Sequence, residues 1–308
     1  MRKWLRILWT AAKAWKADNA FKHSAAVSFY TLFSLAPMTI IAVTVAGVFL
    51  GREEANRQFI AQVSGLVGPA SSEMIQQAAE ASQNEDNSAL KTAIGIALMI
   101  FGATTVFAQL QDSLNKIWGV RAKPNKSGWL ILLMHRLVSL AMVLTIGFLL
   151  LVSLILSTLL TGLLARFETG LLASKLWMQA ADLVVGLAVI SALFAVLFKV
   201  MPDVKLRWRD VWIGAIVTAV LFTIGRRLIA LYLGYSTVAS IYGTAGSLVA
   251  LLIWVYYSCA ILFYGVEFTR AYREQRNLKI EPKETAVQVR EEIVPNDGGD
   301  GPPRVDLT

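Results

Sequence analysis

The sequence predicts an all-α, polytopic membrane protein: a bundle of six transmembrane helices with both termini on the cytoplasmic side. Three observations carry that expectation. Six long apolar runs divide the 308 residues, near 25–50, 90–110, 130–165, 177–201, 211–233 and 243–269. Lys and Arg concentrate in alternate connections between them. The composition is 56% hydrophobic, with a mean hydropathy of +0.56, far from a soluble domain of this length.

Each run supplies the ~20 residues that a helix needs to cross about 30 Å of hydrocarbon. No water is present there to satisfy backbone N–H and C=O groups, so only helices and closed barrels span a bilayer. The runs are continuously apolar, without the two-residue alternation of a barrel strand, so helices are expected. The third run would reach ~50 Å as a straight helix and must tilt, protrude or begin at the interface. The first run starts after about 24 residues and is too long for a signal h-region of roughly 7–15 residues. It is read as an uncleaved span.

Charge sets the orientation. The segment 1–24 carries Arg2, Lys3, Arg6, Lys13, Lys16 and Lys22 against one acid, Asp18. The connection after the second run holds Lys116, Arg121, Lys123 and Lys126, and the 199–210 connection holds Lys199, Lys205, Arg207 and Arg209. The chain leaves the last run through Arg270, Arg273, Arg276 and Lys279. The 52–90 connection is rich in acids, and 234–242 carries no charge. Cytoplasmic loops are the basic ones, so the expected topology is N-in and C-in.

Three regions follow. Residues 1–24 form a cytoplasmic amphipathic segment. Trp4, Leu8, Ala11 and Trp15 share one helical face, which suits either an interfacial helix or one packed on the bundle. Residues 25–270 are the membrane domain, including an external segment 52–90 with short amphipathic helices. Residues 271–308 are polar and rich in Pro and Gly beyond 295, and are expected to be a mostly disordered cytoplasmic tail.

Charges inside an apolar run are costly and mark candidate sites. Arg226 and Arg227 lie in the fifth run, nearer its outer end; one is expected to snorkel and the other to face the bundle. Asp182, a turn or two into the fourth run, matches them in depth and is the expected counter-charge. Glu267 lies at the inner end of the last run, with Arg207, Arg209 or Arg270 as candidate partners. Pro37 removes a helical hydrogen bond in the first run and is expected to kink it. Tyr232 and Tyr242 could add polar groups beside the arginines. The single cysteine, Cys259, and two histidines, His23 and His135, leave no cysteine or histidine metal cluster, so no metal and no cofactor are expected.

Ala25-Ala26-Val27-Ser28-Phe29-Tyr30 through Ser34-Leu35-Ala36-Pro37 resembles the first span of the YihY/BrkB membrane protein family. Leu114-Asn115-Lys116-Ile117-Trp118, Met201-Pro202-Asp203 with Trp208, and Gly214-Ala215 continue the resemblance. The last third adds Gly225-Arg226-Arg227, Tyr232, Ile241-Tyr242-Gly243, Trp254-Val255-Tyr256 and Gly265-Val266-Glu267. Val266 departs from the alanine frequent in the family. The resemblance implies a six-span bacterial inner-membrane protein, linked by name to virulence and serum resistance.

An older label in that family, ribonuclease, does not suit these residues. Metal-dependent hydrolysis needs clustered carboxylates or histidines in water, and a metal-free route needs a positioned acid and base. The chain is therefore not expected to be an enzyme. A transporter or flippase-like carrier of a lipid or other anionic amphiphile fits the basic pair, because Arg holds phosphate bidentately. A cation/proton antiporter and a non-transporting envelope scaffold are the alternatives. The expected partners are membrane lipids and, as an open alternative, further copies of the chain; nucleic acid is not expected.

Overall fold

The fold was examined in a computed structural model, which describes residues 2–51, 53–57, 60–61, 105–123, 175–235, 246–289, 291–294 and 304–307. The third run, most of the second and nearly all of the 52–90 segment lie outside the described residues.

Six helices organise what is described. They are α1 (Arg2–Ala17), α2 (Ala20–Leu50), α3 (105–117), α4 (Lys175–Val200), α5 (Trp208–Tyr235) and α6 (Gly246–Gln275). Among the described residues three stretches are long and apolar enough to cross a membrane: Leu183–Val200, Trp208–Ile229 and Leu248–Gln275. They coincide with the fourth, fifth and sixth apolar runs. The first run forms α2, 31 residues long. Pro37 lies inside it, with helical backbone on both sides.

Helix α6 is the axis of the fold, with α1, α2 and α5 packed against it and α4 against α5. Helices α5 and α6 run antiparallel in a register that repeats every four residues. Asp210 meets Arg273, Gly214 meets Thr269, Thr218 meets Gly265, and Gly225 meets Tyr257 and Ile261. A Cβ on Gly214 would collide with Thr269 Oγ1, and one on Gly265 with Thr218 Oγ1. The same Gly-x-x-x-Thr pattern thus occurs on both helices, each glycine receiving the other helix's threonine. Small residues let membrane helices approach closely. Each threonine hydroxyl also bonds its own helix, Thr218 to the Gly214 carbonyl at 2.7 Å and Thr269 to the Gly265 carbonyl at 2.8 Å.

One side of α5 is left outside. Trp212, Ile216, Val220, Ile224, Leu228 and Leu231 are exposed apolar residues at three- and four-residue spacing, as a lipid-facing stripe requires. Four hydroxyls of α2 are satisfied locally. The Ser24, Thr31 and Ser34 hydroxyls each donate to the carbonyl four residues back, and Ser28 to that of Ala25. Such bonding hides hydroxyls within a helix.

Helix α1 packs across the last third of α6. Ile7 and Ala11 are buried against Phe268, Ala271 and Tyr272. Trp15 Nε1 donates to the Ala260 carbonyl at 3.0 Å, and the Tyr264 hydroxyl to the Leu8 carbonyl at 3.2 Å. Trp4 stacks near Phe268 and Tyr272. On the far side Leu5 and Trp9 stay exposed, with Lys13 5.5 Å above the Trp9 ring. Asn19, at φ 54, turns the chain from α1 into α2, a left-handed conformation that Asn tolerates better than most residues.

The expected disordered tail from 271 needs correcting. Helix α6 runs on to Gln275, and residues 278–289 return across the bundle as a strap. Strand β2 (Ala286–Gln288) pairs antiparallel with β1 (Val120–Ala122), which follows α3. Val204 and Pro282 form an isolated bridge, Lys283 N–H donates to the Asp203 carbonyl, and Lys205 N–H to that of Glu281. Farther on, β3 (Glu291–Val294) pairs with β4 (Arg304–Leu307). Polarity alone misled here, because the strap is held mainly by backbone hydrogen bonds and needs little apolar surface. Gly119 makes its passage possible. Its φ of 63 ends α3, and its carbonyl accepts from Val289 N–H at 2.8 Å.

Candidate functional site

The α3 end, the turn 201–207, the end of α6 and the strap meet at one end of the bundle, called here the basal end. Its polar groups form three separate knots. The first is a clasp 88 residues apart in sequence. Asn115 Nδ2 donates to Asp203 Oδ2 at 2.9 Å, and Asp203 N–H donates to Asn115 Oδ1 at 2.8 Å. One amide thus fills both a side-chain acceptor and a backbone donor. The second is the ion pair of Arg273 and Asp210, 2.8 Å apart with both side chains 6% exposed or less. Arg273 Nη2 also donates to the Lys279 carbonyl at 2.9 Å, fastening the start of the strap.

The third knot surrounds Arg270. Its Nη1 donates to the Ile117 carbonyl at 2.6 Å and lies 3.3 Å from Asp18 Oδ2, while its Nε bonds Glu274 Oε1 at 3.0 Å. Glu267 lies one turn before Arg270. It is fully buried, and neither carboxyl oxygen receives a hydrogen bond from a protein donor. Its electrostatic neighbours are Asp18, Arg270 and Glu274. Arg207 and Arg209 are exposed and are not brought to it. The nearby guanidinium, Arg270, gives its donors to Asp18, the Ile117 carbonyl and Glu274 instead.

The arginine pair stands far from these knots. Arg226 is half-buried and Arg227 exposed. Arg227 sits among Ile224, Leu228 and Leu231 of the outward stripe, whereas Arg226 follows Gly225, which faces α6. Gly225 explains the close fit there: a Cβ would fall 2.7 Å from both Tyr257 Cε1 and Ile261 Cδ1. Among the described residues neither arginine has an ion-pair partner or a side-chain hydrogen bond. Asp182 lies in α4, eighteen residues before its end at Val200, and Arg226 eighteen residues after the start of α5 at Trp208. Each is then ~27 Å along its helix from the connecting turn, at about 1.5 Å per residue. The two stand at one level on neighbouring helices; the Asp182 side chain lies outside the described residues. Tyr232 is exposed, and Tyr242 lies outside the described residues.

Long apolar helices, close glycine contacts and an outward apolar stripe define an integral membrane protein. The chain matches the model of the virulence factor BrkB family over residues 11–289, and it belongs to that family. It is 26% identical to a UPF0761 membrane protein of Cronobacter sakazakii over 289 residues, 93% of this chain and 94% of the relative. A UPF0761 membrane protein of Alteromonas mediterranea is 27% identical over 262 residues, 83% and 84% of the two chains. One of Klebsiella pneumoniae is 29% identical over 225 residues, 70% and 71%. No solved structure matches the chain.

The residues that sequence reasoning passed over are Asp210, Arg273, Asn115, Asp203, Asp18, Thr218 and Thr269. The repeated Gly-x-x-x-Thr spacing at 214–218 and 265–269 was available in the sequence and would have paired the two helices. Asp18, the lone acid in a basic segment, was a second signal.

Proposed function

We propose that this protein is a carrier of the flippase type, moving a lipid or another anionic amphiphile across the bacterial inner membrane. It crosses that membrane six times with both termini and the basal end in the cytoplasm, and acts without enzymatic chemistry. The observation that carries the reading is the Arg226–Arg227 pair. Two guanidinium groups on a membrane helix, nearer its outer end and without a counter-charge among the described residues, are costly to keep. Their cost is offset when an anionic head group binds, and Arg fits phosphate or carboxylate with two parallel bonds. One arginine on the lipid stripe and one turned toward the bundle give such a head group a route from the bilayer inward. Asp182, at the same level, serves as the resting counter-charge that cargo displaces.

The test is reconstitution. Purified protein in vesicles is assayed for transbilayer movement of a fluorescent anionic phospholipid and of a zwitterionic one. Replacing both arginines by alanine is expected to slow the anionic lipid by at least about tenfold, equivalent to ~1.4 kcal/mol. Unchanged anionic movement in the double variant would sink the proposal, as would equal transport of both lipids by the parent.

A further inference from the structure

Glu267 is the buried ionisable group that the cargo reading does not use. It lies on a buried stretch of α6, where Phe263, Val266 and Phe268 are each 2% exposed or less. An ionised carboxylate held there without a hydrogen-bond donor would be strongly destabilised. Arg270 lends it charge but no hydrogen bond, since that guanidinium bonds Asp18, the Ile117 carbonyl and Glu274. Another carboxyl, that of Asp18, is brought to this level by Arg270, which lies one turn after Glu267 and holds Asp18 Oδ2 at 3.3 Å. Two neighbouring carboxyl groups are not both ionised cheaply, and one proton turns either into a donor for the other.

We infer that Glu267 and Asp18 form a proton-binding site, holding one proton between them at the basal end of α6. The roles divide by exposure. The Asp18 side chain is 34% exposed and lies against Arg270, so it meets water. Glu267 is sealed, so it is the group that keeps the proton. Loading is one transfer: a proton given up by hydronium at the Asp18 side binds a Glu267 carboxylate oxygen, leaving water. No other reactant is needed.

The remaining charges fit this arrangement. Glu274 shares Arg270 with Asp18. Lys22 of α2, Asp112 and Lys116 of α3, and Asp18 all lie within electrostatic reach of His23. His23 places its ring 6.2 Å from Phe263, one turn from Glu267 on α6, and its Nε2 has no partner. From α5 the groups packed on this stretch of α6 are Gly214 and Thr218, which carry no charge. The site holds whatever the cargo proves to be, because it uses none of the residues assigned to cargo.

Infrared difference spectroscopy of the purified full-length protein in lipid nanodiscs tests the inference. The parent is expected to show a protonated-carboxyl C=O band near neutral pH that exchanges slowly in heavy water. Glu267→Gln should remove that band and leave the melting temperature near the parental value, since the amide mimics the neutral acid and still donates to Asp18. Asp18→Asn, at a partly exposed position, should shift the band without abolishing it, because the acceptor changes. Absence of any such band in the parent would overturn the inference, as would a band unaffected by Asp18→Asn. A large loss of melting temperature in Glu267→Gln would equally overturn it, because that outcome marks Glu267 as one half of an ion pair.

Discussion

Replacing Gly214 by alanine tests the central helix contact, and the structure sets its size. Alanine in place of glycine inside a helix ordinarily stabilises by roughly 0.5–1 kcal/mol through backbone entropy. Here the added methyl would overlap Thr269 Oγ1 and stand 3.1 Å from Thr269 Cβ. Neither is the end of a long flexible chain, so α5 and α6 must separate locally. Overpacking of this kind costs typically ~1–3 kcal/mol. The net expectation is a destabilisation of about 1–2 kcal/mol by combining those two ranges. Thr269→Ala removes the overlapping hydroxyl, so the double variant should recover much of the loss. That recovery appears as a favourable coupling in a double-mutant cycle. The four proteins would be compared by reversible unfolding in mixed micelles. A Gly214→Ala protein as stable as its parent, or strictly additive variants, would mean that α5 and α6 do not meet at this level.

Three further predictions concern the basal end. Arg273→Met strands Asp210 in a buried site, and breaking such a pair costs about 3–5 kcal/mol, read as a large drop in melting temperature; Arg273→Met combined with Asp210→Leu should regain most of it. Asn115→Ala leaves Asp203 Oδ2 and its backbone N–H without their partner, a loss of about 1–3 kcal/mol, and amide exchange at Asp203 should accelerate in the same variant. Burial holds the Lys283 ammonium below its ordinary 10.5, with Lys199 adding to the shift and Asp203 opposing it. The unfolded chain then binds the proton more tightly, so stability should rise with pH between the lowered value and 10.5. Melting curves taken at rising alkaline pH should show this slope in the parent and a flatter one in Lys283→Met.

The helices were legible because their signal is local. Apolar runs of sufficient length marked α2, α4, α5 and α6, whereas the pattern of Trp4, Leu8, Ala11 and Trp15 left α1 open between the interface and the bundle, and its buried residues are Ile7 and Ala11. What escaped was long-range polar pairing. Arg273 and Asp210 are 63 residues apart, and Asn115 and Asp203 are 88 apart, and nothing in either neighbourhood names its partner. Arg270 was one of three candidate mates for Glu267, yet the Asp18 side chain, the Ile117 backbone carbonyl and Glu274 take its hydrogen bonds. The strap escaped for another reason: backbone-paired segments need no apolar pattern, so Pro282, Lys283 and Thr285 read as solvent-exposed chain.

That strap has a consequence for biogenesis. Strand β2 closes onto β1 across more than 160 residues of intervening chain, and residues 282–288 leave the ribosome after every helix described. While α4, α5 and α6 are being threaded into the bilayer, the Asp203 carbonyl, the β1 edge and the Gly119 carbonyl have no partner. The basal end is therefore latched only after insertion is complete. A chain halted before residue 282 would place its helices correctly and still remain open at that end.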